Sequence, residues 1–130
     1  MKFLPIDTED EKLIEAARET LEKRYRSRRH TVAAAVLCES GKVYTGINVE
    51  AVAYGPCAEP IAIGRAFTDG DWEIKAIVAV GKEGVLSPCG NCRQLIFDYA
   101  PDAVVIFDDN GKIVKTEARN LLPGYYVSNF

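Results

Sequence analysis

The sequence predicts a three-layer α-β-α sandwich around a mixed five-stranded sheet, and three observations carry that expectation. Two apolar runs with strand character, "HTVAAAVLC" and "KVYTGINV", lie close together early in the chain and are joined by the turn "ESGK". Two further runs, "IKAIVAVG" and "AVVIF", are nearly continuous in apolar residues, as strands buried on both faces are. Segments with helical signals separate them, so the order is α-β-β-α-β-α-β-β-α, with connections short enough for one layered unit. At 130 residues the chain, residues 1–130, reads as a single domain.

Each element has its own warrant. Thr8 to Glu11 ("TEDE") fits a capping box, and Leu13, Ile14, Ala17, Leu21 and Tyr25 then recur on one helical face, which predicts a helix ending near Ser27. In "PCAEPIAIGRAF", Pro56 suits the entry to a helix that runs to about Phe67. "TDGDW" is a loop before the third strand. In "SPCGNCRQLIFDYA", Ser87 is the expected N-cap and Pro88 lies in the first turn of a helix reaching about Tyr99. After the fourth strand, "DDNG" is a turn, "KIVKT" a fifth strand at an edge, "EARNLL" a short helix and "PGYYVSNF" a tail.

Composition narrows the function. Apolar residues make up 48% and charged residues 27%, ordinary for a globular protein. No apolar run approaches the ~20 residues that span a bilayer. "MKFLPIDTEDEK" turns acidic at once and lacks an apolar core, so no signal peptide is expected and the cytoplasm is the expected compartment. A net charge of −3 argues against binding a nucleic-acid polymer. The run "KRYRSRR", Lys23 to Arg29, stands against that balance; it reads either as a solvated helix end or as a site for phosphate or an acidic partner.

The chemistry is carried by the cysteines Cys38, Cys57, Cys89 and Cys92. Cys38 sits inside a strand and reads as a small buried hydrophobe. Cys89 and Cys92 form C-x-x-C, which alone could be a zinc site, a redox dithiol or half of a disulfide; a reducing compartment disfavours the last. Cys57 and Glu59 favour the first. Cys57 begins one expected helix and Cys89 and Cys92 the first turn of another. Both helices follow strands, so three thiolates can converge across 31 intervening residues. Helix N-termini also lower thiol pKa values. Three protein ligands leave a fourth position for water, the arrangement of catalytic rather than structural zinc. Glu59, two residues after Cys57, can serve that water as general acid and base. Cys57-Ala58-Glu59 followed by Pro88-Cys89-Gly90-Asn91-Cys92 matches the zinc deaminase signature in its three-cysteine form. Three thiolates on Zn²⁺ leave a formal charge of about −1. Two helix N-termini offset part of it, and Arg93 is expected to bond one of the ligand sulfurs from outside.

With "GINVE", "YGPCAE", "LSPCGNCRQL" and "NLLPG" in place, nearly the whole chain resembles the cytidine deaminase family, and in its "GPCAE" and its length the blasticidin-S deaminase branch. The resemblance implies a five-stranded α/β fold of cytidine deaminase type and a homotetramer, or a dimer, with active sites shared between subunits. It implies zinc on Cys57, Cys89 and Cys92, with Glu59 shuttling protons. Asn48 and Glu50 match the N-x-E that holds ribose hydroxyls; two apart on a strand, they share a face and can grip a diol. Ala58 would offer backbone bonds to the base, and Tyr126 would line the pocket. Three departures stand out. Pro60 replaces an arginine usual in the motif, which throws more of the charge balance onto Arg93. His30 stands where a base-packing Phe is usual. Glu50 suits a nucleoside sugar, whereas blasticidin-S deaminases tend to lack it.

The function expected is hydrolytic deamination of a cytosine-type nucleoside such as cytidine or deoxycytidine, with release of ammonia. A free small molecule needs no base flipping. The alternatives are a deaminase of blasticidin S or of another aminopyrimidine or aminopurine nucleoside, a non-catalytic zinc module, and a thiol redox protein.

Overall fold

The computed structural model describes residues 1–127. The elements are α1 (Thr8–Arg24), β1 (Val32–Cys38), β2 (Val43–Ile47), α2 (Ala58–Thr68), β3 (Ile74–Gly81), β4 (Gly84–Leu86), α3 (Gly90–Tyr99), β5 (Val104–Asp109), β6 (Lys112–Glu117) and a 3₁₀ turn at Ala118–Leu121. Five strands lie in the order β2-β1-β3-β5-β6, and the three-residue β4 pairs with β3 off that path. Only β3 and β5 run parallel, joined through α3; every other pairing is antiparallel. The mixed sheet and the layers are as the sequence predicts. The added strand is β4, too short to carry a readable pattern, which follows the turn at Lys82 and Glu83.

Alternation along the strands divides the core in two. Ala33, Ala35 and Leu37 of β1 and Val78 and Val80 of β3 pack with Leu13, Ile14, Ala17 and Leu21 of α1. Ala34, Val36, Ile77 and Ala79 face the other way, with Ala58, Ala62 and Ala66 of α2 and Ile96 of α3. Helices therefore cover both faces, and the alanines of β1 allow α1 and α2 to approach closely. On β2, Gly46 is buried beneath α2: a Cβ there would stand 2.5 Å from the Ala62 nitrogen. Among the described residues, no helix is long and apolar enough to cross a membrane.

Local expectations shift in three places. The capping box of α1 uses Asp7 and Asp10, not Thr8 and Glu11: the Asp10 N–H donates to Asp7 Oδ1 and the Asp7 N–H to Asp10 Oδ2, both at 2.9 Å. The overlapping "DTEDE" offers both registers, and the observed one also lets Asp10 meet Lys115 Nζ at 2.6 Å. Helix α1 stops at Arg24 instead of near Ser27, because Tyr25 turns extended and residues 26–30 close a tight loop. Ser87 is not the N-cap of α3; Cys89 is, and the Ser87 hydroxyl donates to the Asp108 carbonyl at 2.8 Å.

Asp10 is 5% exposed, and Lys115 is the cation its carboxylate meets. Removing one partner of a buried pair leaves the other uncompensated, at a cost of about 3 kcal/mol. Lys115→Met should therefore lower stability by that order, read as a fall in the urea midpoint with an unchanged slope.

Candidate metal centre and active site

Helices α2 and α3 begin at the same end of the sheet, beside the carboxyl ends of β2 and β3. Each has a cysteine in its N-cap position with extended backbone: Cys57 (φ −65°, ψ 170°) and Cys89 (φ −69°, ψ 169°). Cys92 follows one turn into α3, on the face of Cys89. Cys57 Sγ and Cys89 Sγ are 3.7 Å apart, Cys89 Sγ and Cys92 Sγ 3.5 Å, and all three sulfurs lie within 4.8 Å of one another. Tetrahedral zinc with Zn–S of about 2.3 Å demands sulfurs about 3.8 Å apart. The triad thus fits one zinc ion with a position left over. All four cysteines, including the buried Cys38, are free thiols in this structure.

The electrostatics favour a cation there. Burial raises the Cys89 thiol, but the amides of Cys92 and Asn91 and the two neighbouring thiols outweigh it, so its pKa is lowered. Cys92 is pushed far up, first by burial and then by the charge of Glu59 and the other two sulfurs. Cys57 is also raised, chiefly by burial. Three thiolates in this space repel one another, and a divalent ion is the compensation they lack. Cys38, burial raising its pKa to about 11, stays an inert thiol.

Glu59, in the first turn of α2, is 5% exposed. Burial raises its carboxyl pKa, offset in part by its own amide and by a hydrogen bond from Cys92. A buried carboxyl held above its ordinary pKa beside the three sulfurs is suited to take up a proton and give it back.

A cavity of about 210 Å³ is lined by Cys57, Ala58, Glu59 and Cys89 together with Asn48, Glu50 and Gly55. Asn48, 5% exposed, is clamped: its Oδ1 accepts from the amides of Thr31 (2.7 Å) and Val32 (3.0 Å), and its Nδ2 donates to Glu50 Oε1 at 3.2 Å. Ala58 is fully buried. The sequence did not single out Thr31, Gly55 or Leu86, which also line the cavity. Gly55 had a signal in "YGPCAE": a Cβ there would meet the Val49 carbonyl at 2.7 Å.

Three expected residues lie elsewhere. His30 does not line the cavity; its Nδ1 sits 2.9 Å from the Asn48 carbonyl, which can only accept, so Nδ1 carries the proton and the ring buttresses Asn48 from behind. Tyr126 is 80% exposed and outside the cavity, while its neighbour Tyr125 stacks on Phe97 of α3 with ring centres 4.2 Å apart. The tail's last residues, 128–130, fall outside the described residues. Arg93 corrects the expectation of a bond to sulfur: its Nε donates to the Pro88 carbonyl at 2.9 Å and its Nη1 to the Leu121 carbonyl at 3.2 Å. A long side chain in a first helical turn leans back toward the N-terminus, so it reaches the loop before the helix. Arg93 therefore braces that loop against the 3₁₀ turn. Pro60 stands in the first turn of α2, where its missing N–H costs no bond, and borders a separate concavity with Tyr44 and Arg65.

The family model described as "Cytidine and deoxycytidylate deaminase zinc-binding region" matches residues 7–108. The chain is 39% identical to a blasticidin-S deaminase of Bacillus cereus, over 99% of this chain and 100% of the relative. It is 38% identical to a cytidine deaminase of Sporosarcina psychrophila, over 89% of this chain and 90% of the relative. Among solved structures, the cytidine deaminase of Burkholderia pseudomallei superposes with a TM-score of 0.76 at 36% identity, covering 89% of this chain and 98% of that one. That of Mycobacterium tuberculosis gives 0.78 at 28% identity, covering 94% and 100%.

Losing a ligand should cost more metal affinity than the roughly 10–100-fold seen for residues that merely orient ligands. Cys57→Ala should bind zinc at least about 100-fold more weakly, with its far-UV dichroism retained, while Cys38→Ala should keep one zinc per chain by elemental analysis.

Proposed function

The chain belongs to the cytidine and deoxycytidylate deaminase family, and on that premise we propose that it hydrolytically deaminates a cytosine-type nucleoside, converting cytidine or deoxycytidine to the uridine form. The observation that carries the reading is the three-sulfur cluster with buried Glu59 against it, inside a cavity that also holds Asn48 and Glu50.

In this reading Cys57, Cys89 and Cys92 hold zinc, which as a Lewis acid makes water nucleophilic near neutral pH. Glu59 takes a proton from the attacking water and gives it to the ring nitrogen beside the carbon that carries the amine. It then transfers the second proton to the departing amine, which leaves as ammonia. Burial suits Glu59 to this exchange, because a carboxyl held above its ordinary pKa gives a proton back readily. The backbone of Ala58 meets the base edge, and Asn48 and Glu50 hold the sugar hydroxyls. His30 acts through Asn48, and Arg93 through the loop that presents Cys89.

A second reading has its own support: the Bacillus cereus relative, matched over its whole length, acts on blasticidin S by its name. Glu50, with its carboxylate against Asn48, favours a diol-bearing sugar and hence the first reading. We also infer a homotetramer or dimer in a reducing, cytoplasmic setting. An exposed tail with Tyr126 free to meet a neighbour supports the former, and four unpaired cysteines the latter.

General acid–base catalysis contributes about 10²–10⁴-fold. Glu59→Gln should retain zinc and fold yet lose ammonia release by that factor; full activity in this variant would overturn the mechanism. The substrate is read by ammonia release from cytidine, deoxycytidine and blasticidin S side by side. The first reading expects the two nucleosides to have the higher kcat/KM, and the second expects blasticidin S to.

A further inference from the structure

The basic run at the end of α1 has a definite place in the fold. Arg26, Arg28 and Arg29 lie on the tight loop between α1 and β1, all exposed, and none has a carboxylate partner among the described residues. In a chain of net charge −3, three neighbouring unpaired guanidinium groups are a local reversal of sign. The loop is also held in shape. The Arg26 N–H donates to the His30 carbonyl at 3.0 Å, and the His30 and Arg29 amides return to the Arg26 carbonyl at 2.9 and 3.0 Å. Arg28 is held at φ 67°, where a non-glycine residue is uncommon.

That loop is fastened to the rim of the active-site cavity. The Arg29 carbonyl accepts from the Glu50 N–H at 3.3 Å, and the His30 ring bonds the Asn48 carbonyl. The cavity, about 210 Å³, is smaller than the roughly 300–1,000 Å³ of sites that enclose a whole small molecule. Glu50 belongs both to the cavity wall and, through its bond to the Arg29 carbonyl, to the edge of the arginine loop, so a molecule with its amine at Glu59 and its sugar at Asn48 and Glu50 brings that sugar beside the loop. Guanidinium forks match the oxygens of carboxylate and phosphate.

We propose that Arg26, Arg28 and Arg29 form a subsite for an anionic group, phosphate or carboxylate, borne on the sugar portion of the substrate. This rests on the reading that the cavity deaminates a cytosine-type nucleoside with its sugar at Asn48 and Glu50. Glu50, whose N–H bonds the Arg29 carbonyl and whose carboxylate meets Asn48, is one acidic group beside a loop of three arginines.

The test compares three molecules with the zinc-loaded full chain: cytidine, cytidine 5′-monophosphate and a cytidine analogue whose 5′ carbon is a carboxylate. At low ionic strength kcat/KM should be at least tenfold higher for an anionic substrate than for cytidine, and high salt should shrink the difference. Which of the two anions leads tells phosphate from carboxylate. The combined variant Arg26→Gln, Arg28→Gln, Arg29→Gln should bring the ratio of anionic to neutral kcat/KM down at least tenfold. Should that variant misfold, Arg28→Gly, which suits the left-handed backbone, should still lower the ratio. Equal use of all three molecules by the parent, or a preference that survives loss of the arginines, overturns the subsite. If none of the three is deaminated, the reading of a cytidine-type substrate fails separately. The subsite is then judged by calorimetry on the zinc-loaded Glu59→Gln protein, where tighter binding of an anionic molecule supports it and equal binding overturns it.

Discussion

Contact between α2 and the β1–β2 hairpin is the constraint on which the site depends. Gly46 lets the backbone of α2 settle against β2, and Ala34, Ala58 and Ala62 keep the layer between them thin. Because α2 lies this low, the residue that caps it, Cys57, arrives beside the first turn of α3. A sulfur is a small target. Shifting either helix by the height of one side chain would separate Cys57 from Cys89 by more than a single ion can bridge. The small residues of β1, β2 and α2 are therefore as much a part of the metal centre as its ligands.

Convergence of two helix N-termini also resolves a charge problem. Three cysteines and Glu59 are four groups able to carry negative charge in a partly buried space, and their pKa values record the conflict, with only Cys89 drawn down. Unpaired amides at the starts of α2 and α3 supply fixed positive ends at no cost in side-chain order. This relieves Arg93 of the neutralising role. It can spend its donors on the Pro88 and Leu121 carbonyls, locking the loop from which Cys89 projects.

Much of this was legible in the sequence because the decisive signals are local. The runs "AVVIF" and "IKAIVAVG" are buried strands by composition alone, and Cys57, Glu59, Cys89 and Cys92 are defined by spacing plus the helices they start. What was not legible depends on partners far apart in the chain. Asp7 rather than Thr8 caps α1 because Asp10 is claimed by Lys115, 105 residues later. Ser87 has the right chemistry for an N-cap, yet the Asp108 carbonyl takes its hydroxyl. Arg93 has a sulfur two atoms of backbone away and still turns to carbonyls, since the direction of a helical side chain is set by the helix and not by the nearest charge. His30 looked like a pocket residue by position, and its ring is committed to Asn48.

Asn48 shows how holding the fold and holding a ligand become one task. Its Oδ1 fixes the start of β1 through Thr31 and Val32, its carbonyl receives His30, and its Nδ2 steadies Glu50. Its Oδ1 is taken by two strand amides and one Nδ2 hydrogen by Glu50, which leaves the second Nδ2 hydrogen for a ligand, so the residue cannot change without moving the strand. The cavity lining at Cys57, Ala58 and Glu59 is under the same constraint, because these residues are also the cap and first turn of α2. Freedom to vary is left on the adjoining loop, where the side chains of Arg26, Arg28 and Arg29 are exposed and the backbone is bound to Glu50. Chemistry built on helix ends and selectivity built on an adjoining loop can then change independently, which is the physical basis on which one scaffold can deaminate different molecules.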